Sequence, residues 1–250
     1  MKPNDIYLAT VGIEVNRWTK GRESTIDLVE WLPRIARAGF DGVELWEHHA
    51  SRLAPDELAR AAAVAKECGC PVPIFNTYVK TAPGDEHVAH RRADDAVAKA
   101  FGSVAYKFNV SGDSHADAVA FAREWAAETN VLFLCECHGG TMMEDPATAA
   151  SVLRELGVDR FAAILHTLIA GDEAFERDLE HKGDLLRHVH VQNLDQHTDL
   201  VAERVAMLRE LGRELTWSIE FTSPVREKGD AEACFAQSVE DMRFLRSCLQ

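Results

Sequence analysis

Short apolar runs rich in β-branched and aromatic residues recur along the chain, and longer stretches with apolar residues at helical spacing separate them. The short runs have the length and composition of buried parallel strands, at 6–13, 41–46, 72–79, 103–110, 131–138, 161–168, 186–193 and 215–222. The longer stretches predict helices, roughly at 24–38, 55–68, 84–101, 114–129, 145–156, 172–182, 197–211 and 230–248. Strict alternation of this kind is typical of α/β proteins.

The first predicted helix carries boundary signals at both ends. Ser24 and Asp27 form a capping arrangement before its apolar positions, and Gly39 marks its end. Pro33 lies inside this stretch and predicts either a kink or a shorter helix, because proline cannot donate a helical hydrogen bond. Similar glycine punctuation follows later helices, so we expect one regular domain over 1–250 without a linker.

Two architectures suit this alternation, a closed (β/α)₈ barrel and a doubly wound open sheet. No Gly-x-Gly-x-x-Gly motif follows the first predicted strand, as it would in a dinucleotide-binding open sheet. The 250 residues match an eight-unit barrel, which typically needs about 250. The sequence therefore favours an α/β fold of the TIM-barrel class.

Metal-binding side chains end four consecutive predicted strands: Glu136, His166, His190 and Glu220. They are spaced by about one strand, loop and helix, so in a barrel their side chains would meet at the carboxyl ends of the strands. Two carboxylates and two imidazoles without a thiolate make a site for one divalent cation. This donor set suits Mn²⁺, Fe²⁺, Co²⁺ or Zn²⁺ better than Mg²⁺.

The strand period supports this assignment at the fifth strand. Side chains alternate between the two faces of a strand, so Glu136 and His138 share one face while Cys135 and Cys137 share the other. We therefore expect polar groups to point into the barrel and cysteines towards the helices. A buried carboxylate that is merely hydrogen-bonded remains the alternative for each glutamate, and His166 could simply cap a neighbouring carboxylate.

Composition limits the possible partners. With 27 Lys and Arg against 41 Asp and Glu the formal net charge is −14, and such a field repels phosphate backbones, so nucleic acid is not expected as a partner. The six cysteines form no Cys-x-x-Cys pair and are expected to be reduced thiols. No leader-like or membrane-spanning run appears, which predicts a soluble, cytoplasmic protein. The sequence leaves homo-oligomer formation open.

Several of these motifs resemble the xylose-isomerase-like TIM barrels, a superfamily of sugar isomerases and epimerases. The resemblance rests on GFDGVELWEHH at the second strand, ECHGG at the fifth, HVHVQN at the seventh and SIEF at the eighth, in order over nearly the whole chain. Such proteins usually hold one Mn²⁺, Mg²⁺ or similar ion by Glu, Asp, His and Glu from strands five to eight. The resemblance therefore implies Glu136, His166, His190 and Glu220 as ligands, with Mn²⁺ as the expected ion and Zn²⁺, Co²⁺ and Fe²⁺ as alternatives.

The sixth strand departs from the family pattern at two positions. His166 stands where the family usually has Asp, and Ile169 stands where a histidine commonly touches a substrate hydroxyl. Replacing Asp by His removes one negative charge from the ligand set, which should make the ion a stronger Lewis acid. These departures also motivate a non-catalytic barrel subunit as an alternative.

Other side chains near the predicted strand ends are candidates for catalysis or substrate binding. His138 lies two residues beyond a predicted ligand and is a candidate for proton transfer or for orienting a neighbour. The candidates for binding substrate are Glu44, Trp46, Lys107, Asn109, His188 and Arg226. For Glu44 and Lys107 the alternative is a buried ion pair. For Trp46 it is packing, and for His188 it is orienting a neighbouring group.

The sequence thus predicts a metal-dependent isomerase or epimerase that acts on a small sugar or hydroxy-carbonyl compound through an enediolate, with Glu136 and Glu220 exchanging the proton. A dehydratase or lyase is the alternative, because it shares the first step. No glycine-rich phosphate cradle is present near strands seven and eight, which favours an unphosphorylated substrate. A phosphodiesterase of the endonuclease type is disfavoured by the acidic charge and by too few further ligands.

Overall fold

Eight parallel strands form a closed barrel in which each strand pairs with its neighbours in sequence and β8 pairs with β1. The computed structural model describes residues 1–111, 114–168, 171–226 and 229–250, without the side chain of Arg226. The strands are β1 Ile6–Ala9, β2 Gly42–Trp46, β3 Ile74–Asn76, β4 Ala105–Phe108, β5 Leu132–Glu136, β6 Phe161–His166, β7 Leu186–Gln192 and β8 Thr216–Phe221. The predicted (β/α)₈ TIM barrel is confirmed.

Helices cover the outside of the barrel. They are α1 Leu28–Ala38, α2 Pro55–Glu67, α3 Asp85–Phe101, α4 His115–Glu128, α5 Pro146–Leu156, α6 Asp172–Lys182, α7 Thr198–Glu210, α8 Ser223–Arg226 and α9 Ala231–Cys248. The short α8 was not predicted, because its residues follow directly on the eighth apolar run. No helix in these described ranges combines the length and apolarity needed to span a bilayer.

The start of α1 shows how local sequence sets the element bounds. The Asp27 side chain accepts a hydrogen bond from the backbone N–H of Val29, so the helix begins at Leu28 and not at 24. It continues through Pro33 and ends at Gly39, whose φ of 100° is left-handed. The helix is shorter than predicted because Asp27 caps it, and Pro33 does not end it.

The core has an outer layer between strands and helices and an inner layer inside the barrel. The cysteine Cys135 lies in the outer layer, away from the neighbouring Glu136, as strand alternation requires. The barrel interior is closed by a separate apolar cluster of Tyr7, Ile74, Ala105, Leu134, Ala162 and Ile164. Polar side chains occupy the interior beyond this layer, towards the carboxyl ends of the strands.

A candidate metal centre at the mouth of the barrel

Four side chains from the last four strands converge at the carboxyl end of the barrel. They are Glu136, His166, His190 and Glu220, and one ligand atom of each lies within 4.8 Å of one ligand atom of every other. Glu136 and His166 are the final residues of β5 and β6, and His166 lies opposite His190 in the register between β6 and β7. The strand ends that the sequence predicted to meet are therefore adjacent in the structure.

The imidazole nitrogens of the two histidines face the two carboxylates. Nε2 of His166 lies 3.1 Å from Oε1 of Glu136 and 3.2 Å from Nδ1 of His190. The same Nδ1 of His190 lies 3.3 Å from Oε1 of Glu220. Of the four, His166 is the most accessible, with 22% of its side chain exposed. The four groups form a polar cluster that is most accessible at His166.

Lys107 joins the two carboxylates from the fourth strand. Its Nζ lies 2.9 Å from Oε2 of Glu136 and 3.9 Å from Oε1 of Glu220, and its side chain is almost fully buried. The sequence allowed a buried ion pair between Lys107 and a neighbouring glutamate such as Glu44, and the structure forms the pair with Glu136. One oxygen of Glu136 is therefore held by the ammonium while the other faces the two histidines.

Glu44 supports His190 from below. Its Oε2 lies 3.1 Å from Nε2 of His190, accepts a hydrogen bond from the Ser218 hydroxyl at 2.9 Å, and lies 3.3 Å from Nε2 of His188. His188 is itself fully buried and also contacts the Thr216 hydroxyl at 2.8 Å. The structure thus places Glu44 and His188 beneath the four-residue cluster, with Glu44 in contact with both histidines.

The electrostatic environment keeps the glutamates ionised. Burial raises the pKa of Glu136, but the Lys107 ammonium and the hydrogen bond from His166 outweigh it and hold this pKa well below its usual range. His190 and Lys107 likewise hold the pKa of Glu220 below its usual value against burial. Burial lowers the pKa of His190, yet Glu220 and Glu44 on opposite sides of the ring raise it to about 10. A cation bound at Nδ1 would therefore release a proton.

The donor set fits a divalent cation. A metal-binding histidine typically donates its second N–H to a carboxylate, and Glu44 is placed to accept that hydrogen from Nε2 of His190. This arrangement leaves Nδ1 of His190 for the cation, beside one oxygen each from Glu136 and Glu220 and Nε2 of His166. Mixed nitrogen and oxygen ligands without sulfur suit Mn²⁺, Fe²⁺, Co²⁺ or Zn²⁺.

The remaining predicted residues lie at varying distances from this cluster. Asn109 follows β4 on the same face as Lys107, and its Oδ1 is buried with no hydrogen-bond partner among the described residues. Trp46 is 1% exposed and packs against His48. His138 lies beyond the end of β5, is exposed, and donates from Nδ1 to the carbonyl of its neighbour Gly139 at 2.8 Å. The Ile169 position and the Arg226 side chain lie outside the described residues.

Two residues of the site were not identified from the sequence. The Gln192 side chain donates a hydrogen bond to Oε2 of Glu220 at 2.6 Å, which leaves Oε1 facing His190. Gly12 approaches β8 so closely that a Cβ built on it would lie 2.0 Å from the carbonyl oxygen of Glu220. The HVHVQN run contained the first signal, because Gln192 shares a strand face with His190; nothing in the sequence pointed to the second.

Solved structures with the same architecture include several sugar-processing enzymes. A D-psicose 3-epimerase crystallised with D-fructose is 14% identical, with a TM-score of 0.73, and the match covers 100% of this chain and 99% of that one. A probable 3-DHS dehydratase from Bacillus anthracis is 16% identical, with a TM-score of 0.70 and coverage of 98% and 99%. A xylose isomerase-like TIM-barrel protein from Mycobacterium smegmatis, in complex with magnesium, is 12% identical, with a TM-score of 0.67 and coverage of 100% and 98%.

These likenesses define the class of fold. These neighbours align over essentially the full length of the chain, and one of them is described as a xylose isomerase-like TIM barrel, so the predicted TIM-barrel fold is confirmed. At the level of sequence, no family model and no curated protein matches. At such low identity the comparison establishes architecture, and the chemistry must be argued from the site itself.

Proposed function

We propose that this protein is a divalent-metal-dependent isomerase or epimerase that acts on a small sugar or hydroxy-carbonyl compound. The observation that carries the proposal is the convergence of Glu136, His166, His190 and Glu220 within 4.8 Å at the carboxyl end of the barrel, where TIM-barrel enzymes keep their active sites. The D-psicose 3-epimerase among the structural neighbours supports the substrate class.

The four residues are proposed to hold one cation, with Mn²⁺ expected and Zn²⁺, Co²⁺ or Fe²⁺ as alternatives. When bound, such an ion supplies Lewis-acid polarisation of a substrate carbonyl and the adjacent hydroxyl. Glu136 and Glu220 then remain the groups that move protons, since both are buried, ionised and on separate strands flanking His190. One would take the proton from the carbon between the two oxygens, and the other would return it to the opposite face or the neighbouring carbon.

Lys107 has a distinct part in this scheme. Its ammonium lies between the two glutamates and helps to keep both in the carboxylate form that can accept a proton. It also carries a fixed positive charge near the position where an enediolate would develop negative charge, which is the kind of preorganised stabilisation that lowers a barrier. Asn109, whose buried Oδ1 on the same strand face has no partner in the described part of the chain, is proposed to contact a substrate hydroxyl.

A dehydratase or lyase is the second candidate. It shares the first proton abstraction and then loses a β-hydroxyl, and one structural neighbour is a probable dehydratase. The further substrate-binding candidates Trp46, His188 and Arg226 do not separate the two reactions. An unphosphorylated substrate remains the expectation, because no glycine-rich phosphate cradle appears in the sequence near the end of β8.

Solvent deuterium exchange tests the proposal directly. Metal-loaded protein would be incubated in D₂O with a panel of ketoses and hydroxy-keto compounds, and the loss of substrate C–H signal followed by NMR. We expect exchange with at least one compound, and a rate lower by ~10²-fold or more in Glu136→Gln and Glu220→Gln. Glu173→Gln, an exposed change on α6, is the matched control and should behave as the wild type.

Product analysis in the same experiment distinguishes the candidates. A new stereoisomer or a shifted carbonyl indicates the isomerase or epimerase, and an unsaturated product with one water fewer indicates the dehydratase. A substrate turned over at the same rate by both Gln variants, without deuterium incorporation, would refute the enediolate scheme. Absence of exchange with every compound tested, despite bound metal, would favour the non-catalytic barrel.

A further inference from the structure

A second group of potential metal ligands lies on the other side of the barrel mouth, outside the site described above. It consists of Glu47, His90 and Asp94, and one ligand atom of each lies within 4.8 Å of one ligand atom of the other two. Glu47 begins a 3₁₀ turn, Glu47–His49, directly after β2, while His90 and Asp94 lie one turn apart on α3. We propose that these three residues, the Glu47 site, bind a second divalent cation.

The distances between the donor atoms support this proposal. Nε2 of His90 lies 3.1 Å from Oε2 of Glu47 and 3.5 Å from Oδ2 of Asp94. With metal–ligand bonds of about 2.0–2.2 Å, ligand atoms in a tetrahedral shell lie roughly 3.3–3.6 Å from one another. A single nitrogen of His90 thus faces both carboxylates at separations close to those of a bound ion's shell.

Burial of the two carboxylates supports it independently. Glu47 is 3% exposed and Asp94 is fully buried, although burying a carboxylate without a matching charge is costly. Oδ1 of Asp94 has no hydrogen-bond partner among the described residues, while its Oδ2 accepts from the Thr77 hydroxyl at 2.5 Å. This Oδ1 leaves Asp94 with one buried oxygen to which a cation could bind.

The chemistry of the ligands limits the ion. One imidazole and two carboxylates, with no thiolate, are typical of Zn²⁺, Co²⁺ or Mn²⁺ sites. Three protein ligands leave a position for water, and the His90 side chain is 37% exposed, which gives an ion access from solvent.

The Glu47 site is also connected to the first one. Oε2 of Glu47 accepts a hydrogen bond from the backbone N–H of Tyr78 at 2.8 Å, and the Tyr78 ring lies 5.7 Å from Nζ of Lys107. A cation held by Glu47, His90 and Asp94 would therefore hold the segment after β2 against α3. It would also restrict the position of the Tyr78 ring beside Lys107. This role is structural and does not depend on the reaction catalysed.

Zinc stoichiometry tests the proposal. Chelator-stripped protein would be dialysed against a series of free Zn²⁺ concentrations, and bound zinc per chain measured by elemental analysis. We expect two ions per chain in the wild type, one in His90→Gln, one in Glu220→Gln and none in the double variant. His87→Gln is the matched control, because His87 lies on the same helix and pairs only with the exposed Glu86 among the described residues; it should retain two.

This experiment tests the Glu47 site and the proposed catalytic centre separately. If His90→Gln binds as much zinc as the wild type at every concentration, the Glu47 site is refuted, whatever Glu220→Gln does. If His90→Gln loses an ion and Glu220→Gln does not, the Glu47 site is supported and the proposed catalytic centre is refuted.

A crystallographic measurement avoids dependence on variants that fold poorly. Wild-type crystals soaked in Zn²⁺ should give an anomalous peak at the zinc edge between Nε2 of His90 and Oε2 of Glu47. A peak near His190 without one near His90 would overturn the proposal.

Discussion

Glu44 and His190 face each other across the barrel, with Oε2 of Glu44 3.1 Å from Nε2 of His190. Both side chains are fully buried. Because the carboxylate accepts a hydrogen bond from Nε2, the other ring nitrogen is free to face Glu136 and Glu220. The carboxylate on β2 thereby selects which nitrogen of a histidine on β7 can bind a cation.

Glu44→Gln should weaken metal binding at the proposed centre. A neutral amide is a poorer acceptor for the Nε2 hydrogen, so His190 would be held less firmly and its Nδ1 would be less basic. We expect a 10- to 100-fold loss of affinity for the ion, the usual effect of changing the residue behind a ligand. Ser218→Ala keeps the contact between Glu44 and His190 and should change affinity much less. Equal effects of the two changes in a metal titration would contradict the orienting role.

Gly12→Ala should disturb β8 at Glu220. The added methyl group would lie 2.0 Å from the Glu220 carbonyl oxygen, so the backbone must move, at a cost of about 1–3 kcal/mol in the free energy of unfolding. Both the melting temperature and the metal affinity should fall, since the backbone shift displaces Glu220, a proposed ligand. Gly21→Ala is the matched control, because a Cβ built on Gly21 would lie 3.6 Å from its nearest neighbour, the flexible side chain of Glu23. A Gly12→Ala protein with wild-type metal affinity would argue against Glu220 as a ligand.

Lys107→Met should make the fold depend more strongly on metal. Removing the ammonium leaves the buried Glu136 without its ion-pair partner, which costs about 3–5 kcal/mol in metal-free protein. Added Mn²⁺ should recover part of that loss, so the rise in melting temperature on metal addition should exceed that of the wild type. Lys182→Met is the comparison, because that buried lysine pairs with Asp178 at 2.8 Å. The stability lost in Lys182→Met should be the same with and without metal.

The sequence predicted the fold and the four-residue cluster because both depend on local periodicity. Strand runs and helix caps are short-range signals, and strand ends in a barrel meet at one face whatever the loops do. The proximity of Glu136 and His166 could therefore be predicted from their positions at the ends of two neighbouring strands. The strand and helix bounds were less accurate, as at β3, which extends only over Ile74–Asn76.

The pairings inside the barrel could not be predicted, because they join residues far apart in sequence. Glu44 contacts His190 across 146 positions, and which of several interior side chains it meets depends on the tilt and register of the closed barrel. Lys107 could equally have paired with Glu44 on sequence grounds, and only the barrel geometry places it beside Glu136. The Glu47 site combines a loop with a helix face, for which no strand pattern exists.

Changing His166 to aspartate tests its part in metal selection. If His166 is a ligand, His166→Asp should retain metal and shift preference towards Mg²⁺ and Mn²⁺, since carboxylate oxygen is a harder ligand than imidazole and adds negative charge. If the imidazole only caps Glu136, which lies 3.1 Å away, the preference should not change. Competition titration of Mg²⁺ against Zn²⁺ measures it. The titration should be repeated with His90→Gln in the background, so that the Glu47 site does not contribute.

The buried carboxyl of Asp241 should make the stability of the protein depend on pH, whether or not metal is bound. It lies on α9, is 1% exposed, and its Oδ2 has no hydrogen-bond partner among the described residues. Burial, together with the nearby Asp195 and Glu240, raises its pKa to about 7 against the hydrogen bond from Gln237. The native state therefore keeps a proton that the unfolded chain, in which the carboxyl has a pKa of about 3.9, releases.

The sign of the effect follows from this difference in bound protons. Between about pH 4 and pH 7 the native state holds the extra proton, so this group lowers the free energy of unfolding by up to about 1.4 kcal/mol for each unit that the pH rises. Asp241→Asn removes the titration, and its melting temperature relative to the wild type should increase from pH 5 to pH 8. Melting curves in a chelating buffer exclude the metal sites, and the exposed Asp184→Asn serves as control. A difference between Asp241→Asn and wild type that stays constant over this range would show that the Asp241 carboxyl is already ionised at pH 5 in the folded protein.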